Sequence, residues 1–243
     1  AILFLYLQKN KRMEILKQRR TIRKYQQKDI SSDLLNDLLD SAFRASTVGN
    51  MQVYSVIVTR DAERKARLAP AHFNQPMVKT APVVLTFCID LRRFTKWCEQ
   101  RKATPGYNNL EWFVTGSVDA LLAAQTFCVA AEEKGLGICY LGTTTYNPQM
   151  IIEALELPEL VFPITTVTVG WPAEEPAQVD RLPLEAIVHE ETYHDYTPED
   201  IDRLYAYKES LPENKQFIFE NNKETLAQVF TDVRYTKKDN EFM

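Results

Sequence analysis

WFVTGSVDALLAAQTFCVAAEEK, Trp112 to Lys134, is long enough for six turns of helix and contains no proline. Val114, Val118, Leu121, Leu122, Gln125 and Val129 fall on one face, apolar residues fill most of the rest, and Gly135 supplies a stop. A helix apolar around most of its circumference belongs in the middle of something larger. Upstream, SSDLLNDLLDSAFRAS offers Ser31 or Ser32 as N-cap, Asp33 in the first turn, and Leu34, Leu35, Leu38, Leu39, Ala42 and Phe43 at helical spacing. The polar loop STVGNMQ follows, then the β-branched run VYSVIVT and a second strand, VVLTFCI. Downstream come the short apolar runs ICYL and ITTVTVG, separated by NPQMIIEALEL with Asn147 and Pro148 as helix-start signals, and then TPEDIDRLYAYKESL. This order, with no internal repeat and no Gly/Ser linker, reads as α+β or mixed α/β. Residues 13–195 form one domain and 196–243 a mostly helical extension.

Residues 1–12 read as an extension outside the fold, since Met13 is a natural initiator, and the closing KKDNEFM reads as cut short. The opening AILFLYL is too short for a membrane span, and its basic run follows the apolar stretch, the wrong order for a signal peptide. Of 29 Lys and Arg, a disproportionate share lies in the first 28 residues, where Glu14 is the one acid. The body is therefore strongly acidic, which argues against a general nucleic-acid or membrane surface. Cys88, Cys98, Cys128 and Cys139 stand singly, three of them in apolar runs, with no CxxC; this fits a reducing, cytoplasmic setting.

Several motifs fail on inspection. Gly135, Gly137 and Gly142 of GLGICYLG lack Rossmann spacing and follow a helix rather than a strand; Gly135 reads as a helix C-cap. HEETYH separates its histidines by five positions, so a helix would turn the two rings apart, and no metal site is expected. Neither a GxSxG elbow nor a Walker A loop occurs. What remains is KQRRTIRKY, Lys17 to Tyr25, with five cations in nine residues. A solvated basic helix face is the plain reading. In an extended stretch, however, Arg19, Thr21 and Arg23 share one side and can converge on a phosphate-bearing ligand, with Arg181 of VDRLP available from far along the chain.

RRTIRKY, RASTVGNMQ, TFCID, GLGICYLG and GWPAEEPAQVDRLPLEAIVHEETY, in that order, resemble the landmarks of the FMN-dependent nitroreductase family, in particular its oxygen-insensitive NADPH nitroreductases and NADPH-flavin oxidoreductases. The resemblance covers about residues 13 to 235. It implies an α+β fold with a central, mostly antiparallel sheet flanked by helices, and a homodimer with FMN at the interface and the long helix within it. It further implies that Arg19, with its neighbour Arg20, and Thr21 hold the FMN phosphate together with Arg181, and that Arg23 lies near N1 and the C2 carbonyl of the flavin. The backbone of Tyr140, Leu141, Gly142 and Thr143 runs against the ring edge, while Thr47, Asn50, Gln52 and Gln75 supply polar contacts. Thr143 stands where the family often has a second glycine, Val179 where it has a basic residue, and only Lys223 where it has a basic pair for the NADPH 2′-phosphate. The implied activity is ping-pong reduction of nitro compounds, quinones or flavins by NADPH or NADH, with no side chain named as acid or base. A flavin reductase supplying reduced FMN and a flavin-binding protein with little turnover are the alternatives.

Overall fold

The computed structural model describes residues 15–237, so the expected 1–12 extension and the last residues of the chain lie outside it. Four strands, β1 (Tyr54–Thr59), β2 (Val83–Asp90), β3 (Gly137–Leu141) and β4 (Val161–Gly170), form one sheet in the order β1-β2-β4-β3, and every pairing is antiparallel. The fold is α+β. VVLTFCID is buried along its whole length because β2 is covered on both faces.

On one face lie α1 (Ser32–Ala42) and the long helix, α5 (Leu110–Glu133), which join Val83, Leu85, Phe87, Ile138, Val167 and Val169 in the larger core. Phe87 and Phe127 pack there with ring centroids 6.2 Å apart, both fully buried, and each such side chain contributes about 1.5–3 kcal/mol. On the other face, α2 (Ala62–Leu68), α3 (Pro76–Thr80) and α6 (Pro148–Leu155) cover Val84, Cys88, Cys139 and Leu141. A further helix, α4 (Leu91–Gln100), follows β2 directly and is N-capped by Asp90.

Local signals act largely as the sequence indicates. Ser31 caps α1 by accepting from Leu34 N–H. Gly135 ends α5 at φ +80°: its N–H donates to Glu132 O, and Leu136 N–H donates to Ala131 O, the paired bonds of a Schellman motif. Asn147 differs, for its side chain makes no cap bond at α6 and instead donates to Ala71 O at 3.3 Å, tying two loops together.

One expectation needs correction. α5 is not buried on most sides: only its small-residue face, Gly116, Asp119, Ala120, Ala123, Ala124, Phe127, Cys128 and Ala131, is covered. Phe113, Val114, Val118, Leu121 and Leu122 stand exposed on the single chain. Small residues let the helix approach the sheet closely, which turns the bulky ones outward.

Contacts divide the chain into two units between Gln178 and Val179, whereas the sequence reading sets its boundary near residue 195. The second unit contains α7 (Pro198–Ser210), α8 (Pro212–Glu220) and α9 (Leu226–Val229), with Leu204, Leu226 and Val229 buried. Thr197 and Asp200 form a capping box at α7.

Candidate functional site

Two glycines on facing strands let the basic segment cross the sheet. Gly137 and Gly170 are opposite one another on β3 and β4. A Cβ at Gly137 would come within 2.6 Å of Ile22, and one at Gly170 within 2.7 Å of the Tyr25 ring. Ile22 and Tyr25 therefore lie on the strand ends, both buried. Ile22 N–H donates to Ile138 O, Gln26 N–H to Trp171 O, and Ala173 N–H to Lys24 O. The Tyr25 phenol lies within hydrogen-bond reach of Ile22 O and Thr168 Oγ1.

So anchored, the segment is extended and its cations gather beside β3. The Cys139 thiol, pushed up by burial, is pulled back by the charges of both Arg23 and Arg19, so both cations lie in its neighbourhood. Arg19 also reaches Glu132 at the end of α5, 3.4 Å away. Burial pushes the Glu132 carboxyl up to about 7, with Arg19 holding it back, so at neutral pH it compensates Arg19 only in part. Arg20 pairs with Glu175 at 2.7 Å. The backbone N–H groups of Arg23 and Lys24 donate to Glu174, which holds that carboxyl below its usual range. The Arg23 guanidinium itself is exposed and forms no ion pair among the described residues. Thr21 is half-buried between them. Arg19, Arg20, Glu132 and the turn Gly135–Gly137 line a recess of about 300 Å³.

At its far end β3 runs out at Leu141, which is buried, and into the short turn Gly142–Thr145. Tyr140 donates from its phenol to Gln125 at 3.3 Å, and burial raises its pKa. A Cβ at exposed Gly142 would meet nothing within 4 Å, so a flat group can approach the backbone there. The Thr143 hydroxyl lies 2.9 Å from His72 Nδ1 and 3.5 Å from Gln75 Nε2. His72 is fully buried, and burial lowers its pKa to about 4.

The loop of Thr47, Asn50 and Gln52 is built separately. Gly49, Asn50 and Gln52 all have left-handed backbones, and the Gln52 amide folds back to donate to Asn50 O and Oδ1. Asp119 of α5 accepts from Val48 N–H at 3.0 Å, and Arg93 donates to the Gln52 and Tyr54 carbonyls. Arg181 belongs to the second unit, where it donates to Asp180 O at 2.7 Å. HEETYH is a loop, not a helix: His189 Nδ1 accepts from His194 N–H, and its Nε2 meets the Tyr196 hydroxyl. Among the described residues no cluster of His, Cys, Asp or Glu can hold a metal.

Glu132, Glu174, Asp119 and His72 escape the sequence reading because each acts on a site residue from a distant position. The acidic pair in PAEEP, opposite in sign to RRTIRKY, is the one signal present in the sequence. The residues found fit FMN: cations gather near Cys139, and about 10 Å along the strand, at ~3.3 Å per residue, Gly142 leaves open space beside polar Thr143.

Known proteins resemble this chain over most of its length. FMN reductase (NAD(P)H) from Bacillus subtilis (strain 168) is 36% identical over 223 residues, covering 89% of this chain and 87% of its own length. A solved structure described as an oxidoreductase from Bacteroides fragilis NCTC 9343 matches at 76% identity with TM-score 0.93, covering 94% of this chain and 93% of that one. NfrA1 nitroreductase from B. subtilis matches at 30% identity with TM-score 0.85, covering 95% of each. A family model described as the nitroreductase family matches residues 16–171, and with the fold in agreement, this chain belongs to the nitroreductase family.

Proposed function

We propose that this protein is an FMN-dependent NAD(P)H oxidoreductase that reduces nitro compounds, quinones or flavins. The observation that carries the reading is that the charges of Arg19 and Arg23 reach Cys139 on β3, upstream of the open position at Gly142, in a chain 36% identical to a protein named FMN reductase. FMN, when bound, supplies a two-electron carrier that takes hydride from NAD(P)H and passes it to an acceptor in a ping-pong cycle.

The protein's own part is binding and electrostatics. Arg19, Arg20 and Thr21 would hold the phosphate end. The partly neutral Glu132 leaves Arg19 with charge to offer, while Glu175 orients Arg20. Arg23, which forms no ion pair among the described residues, would put positive charge beside the N1 and C2-carbonyl edge. The backbone from Tyr140 to Thr143 lies along the ring, and Thr47, Asn50, Gln52 and Gln75 complete the polar contacts. Lys223 is already paired with Asp232 at 3.0 Å, which supports use of NADH as well as NADPH. Domain limits at 13–195 and 196–243 accompany this reading.

The exposed row Phe113, Val114, Val118, Leu121 and Leu122 supports a homodimer with α5 in the interface and FMN beside it. The four free, buried cysteines are in keeping with the cytoplasm, and the acidic body with the absence of nucleic-acid or membrane partners. Free flavin as acceptor is the second reading, favoured by the name of the B. subtilis relative.

Absorbance of the purified protein, FMN released on denaturation, and NAD(P)H oxidation with a nitroaromatic, a quinone or free FMN test the proposal. About one FMN per chain and acceptor-dependent oxidation are expected. A colourless protein that takes up no added FMN overturns it.

A further inference from the structure

We propose that the Thr143 hydroxyl is a committed hydrogen-bond donor to an acceptor atom on the edge of the bound flavin ring, and that His72 is the positioning residue that commits it. The inference rests on the reading of this chain as an FMN enzyme.

His72 is fully buried, and its two ring nitrogens are in unlike positions. Nδ1 faces Thr143 Oγ1 at 2.9 Å, while Nε2 is buried with no partner among the described residues. A neutral imidazole carries one N–H and one lone pair, and burial keeps this one neutral near pH 7. Orphaned buried N–H groups are rarer than under-satisfied acceptors. The proton therefore sits on Nδ1 and is donated to the Thr143 oxygen. Gln75 Nε2 brings a second, longer N–H to the same oxygen at 3.5 Å.

Both lone pairs of the hydroxyl then face donors, and what it has left to offer is its own proton. No acceptor for that proton exists among the described residues. Thr143 directly follows Gly142, the position with open space around its missing side chain, so the proton is available to a ligand arriving there. A second glycine in this place would offer no such donor. A hydrogen bond aimed at a ring atom that gains electron density on reduction favours the reduced cofactor.

Wild type and variants are loaded with FMN, affinity is measured by fluorescence titration, and the midpoint potential of the bound cofactor by equilibration with a reference dye. Thr143→Val should weaken the preference for reduced over oxidised FMN about tenfold, which for a two-electron couple is roughly 30 mV more negative. Thr143→Ser should restore it. His72→Asn, whose amide takes the place of Nδ1, should stay near wild type, whereas His72→Leu should shift as Thr143→Val does, because the hydroxyl is then free to turn. If His72→Leu does not fold, His72→Gln, whose amide reaches the place of Nε2, serves in its stead. A Thr143→Val protein that holds FMN at the wild-type potential overturns the proposal, as does equality of His72→Asn with the Leu or Gln variant. A wild-type protein that takes up no FMN, already evident in the titration, overturns the underlying reading and this inference with it.

Discussion

Arg23 differs from its neighbours in charge balance: Arg19 is ion-paired with Glu132 and Arg20 with Glu175, while Arg23 forms no ion pair among the described residues, meeting Glu174 through its backbone N–H and at longer range through its charge. An uncompensated guanidinium stabilises a developing negative charge most. Arg23→Gln should therefore keep FMN but lower its midpoint potential, with about 30 mV for each 1.4 kcal/mol of lost preference for the reduced form. A dye-equilibration titration that gives the wild-type value would remove Arg23 from the electrostatics of the site. His72 makes a prediction of its own. Burial lowers its folded pKa to about 4, below the usual imidazole value of 6.5, so the unfolded chain binds the proton first as pH falls. The stability that depends on a neutral His72 is complete above pH 6.5 and is lost towards pH 4, by up to about 3 kcal/mol. Urea titrations at several pH values should show the advantage of wild type over His72→Asn shrinking across that window. A constant difference would mean that the imidazole is not held neutral by the fold.

At the scale of elements, the crossing of RRTIRKY over β3 and β4 joins stability to binding. Ile22 and Tyr25 press against Gly137 and Gly170 so closely that an added Cβ has to displace them. Gly170→Ala should cost about 1–3 kcal/mol, the usual range for overpacking, and should loosen the segment that carries Arg19, Thr21 and Arg23. Chemical denaturation reads the first effect, and faster tryptic cleavage at Arg19, Arg20 or Arg23 the second. A variant of wild-type stability and protease resistance would show that the segment has another seat. The elements themselves were legible: α1, β1, β2, α5, β3, α6, β4 and α7 lie where periodicity and cap residues put them, because these signals are local. Asn147 stands at the N-cap of α6 as the sequence indicates, but its amide is drawn to Ala71 from another part of the chain instead of capping the helix.

For the whole molecule, the proposed homodimer rests on the outward face of α5. Phe113, Val114, Val118, Leu121 and Leu122 expose more bulky apolar surface in one row than a lone chain is expected to leave in water. Sedimentation should give a dimer, and Leu121→Asp combined with Leu122→Asp should give monomers that lose most of their FMN; a wild-type monomer that binds FMN fully would refute the interface. The sequence by itself determined the order of the main elements and the chemical kind of the candidate site residues, since hydrophobic period, caps and side-chain type are properties of neighbours in the chain; the same pattern left α+β and mixed α/β both open, and the antiparallel pairing of the strands is what makes the fold α+β. Which face of α5 is buried, which of Arg19, Arg20 and Arg23 forms no ion pair among the described residues, and that a histidine at 72 meets a threonine at 143 were decided only by the tertiary structure. Each of these depends on groups far apart in sequence, whose burial and hydrogen bonding exist only after the sheet and helices have packed.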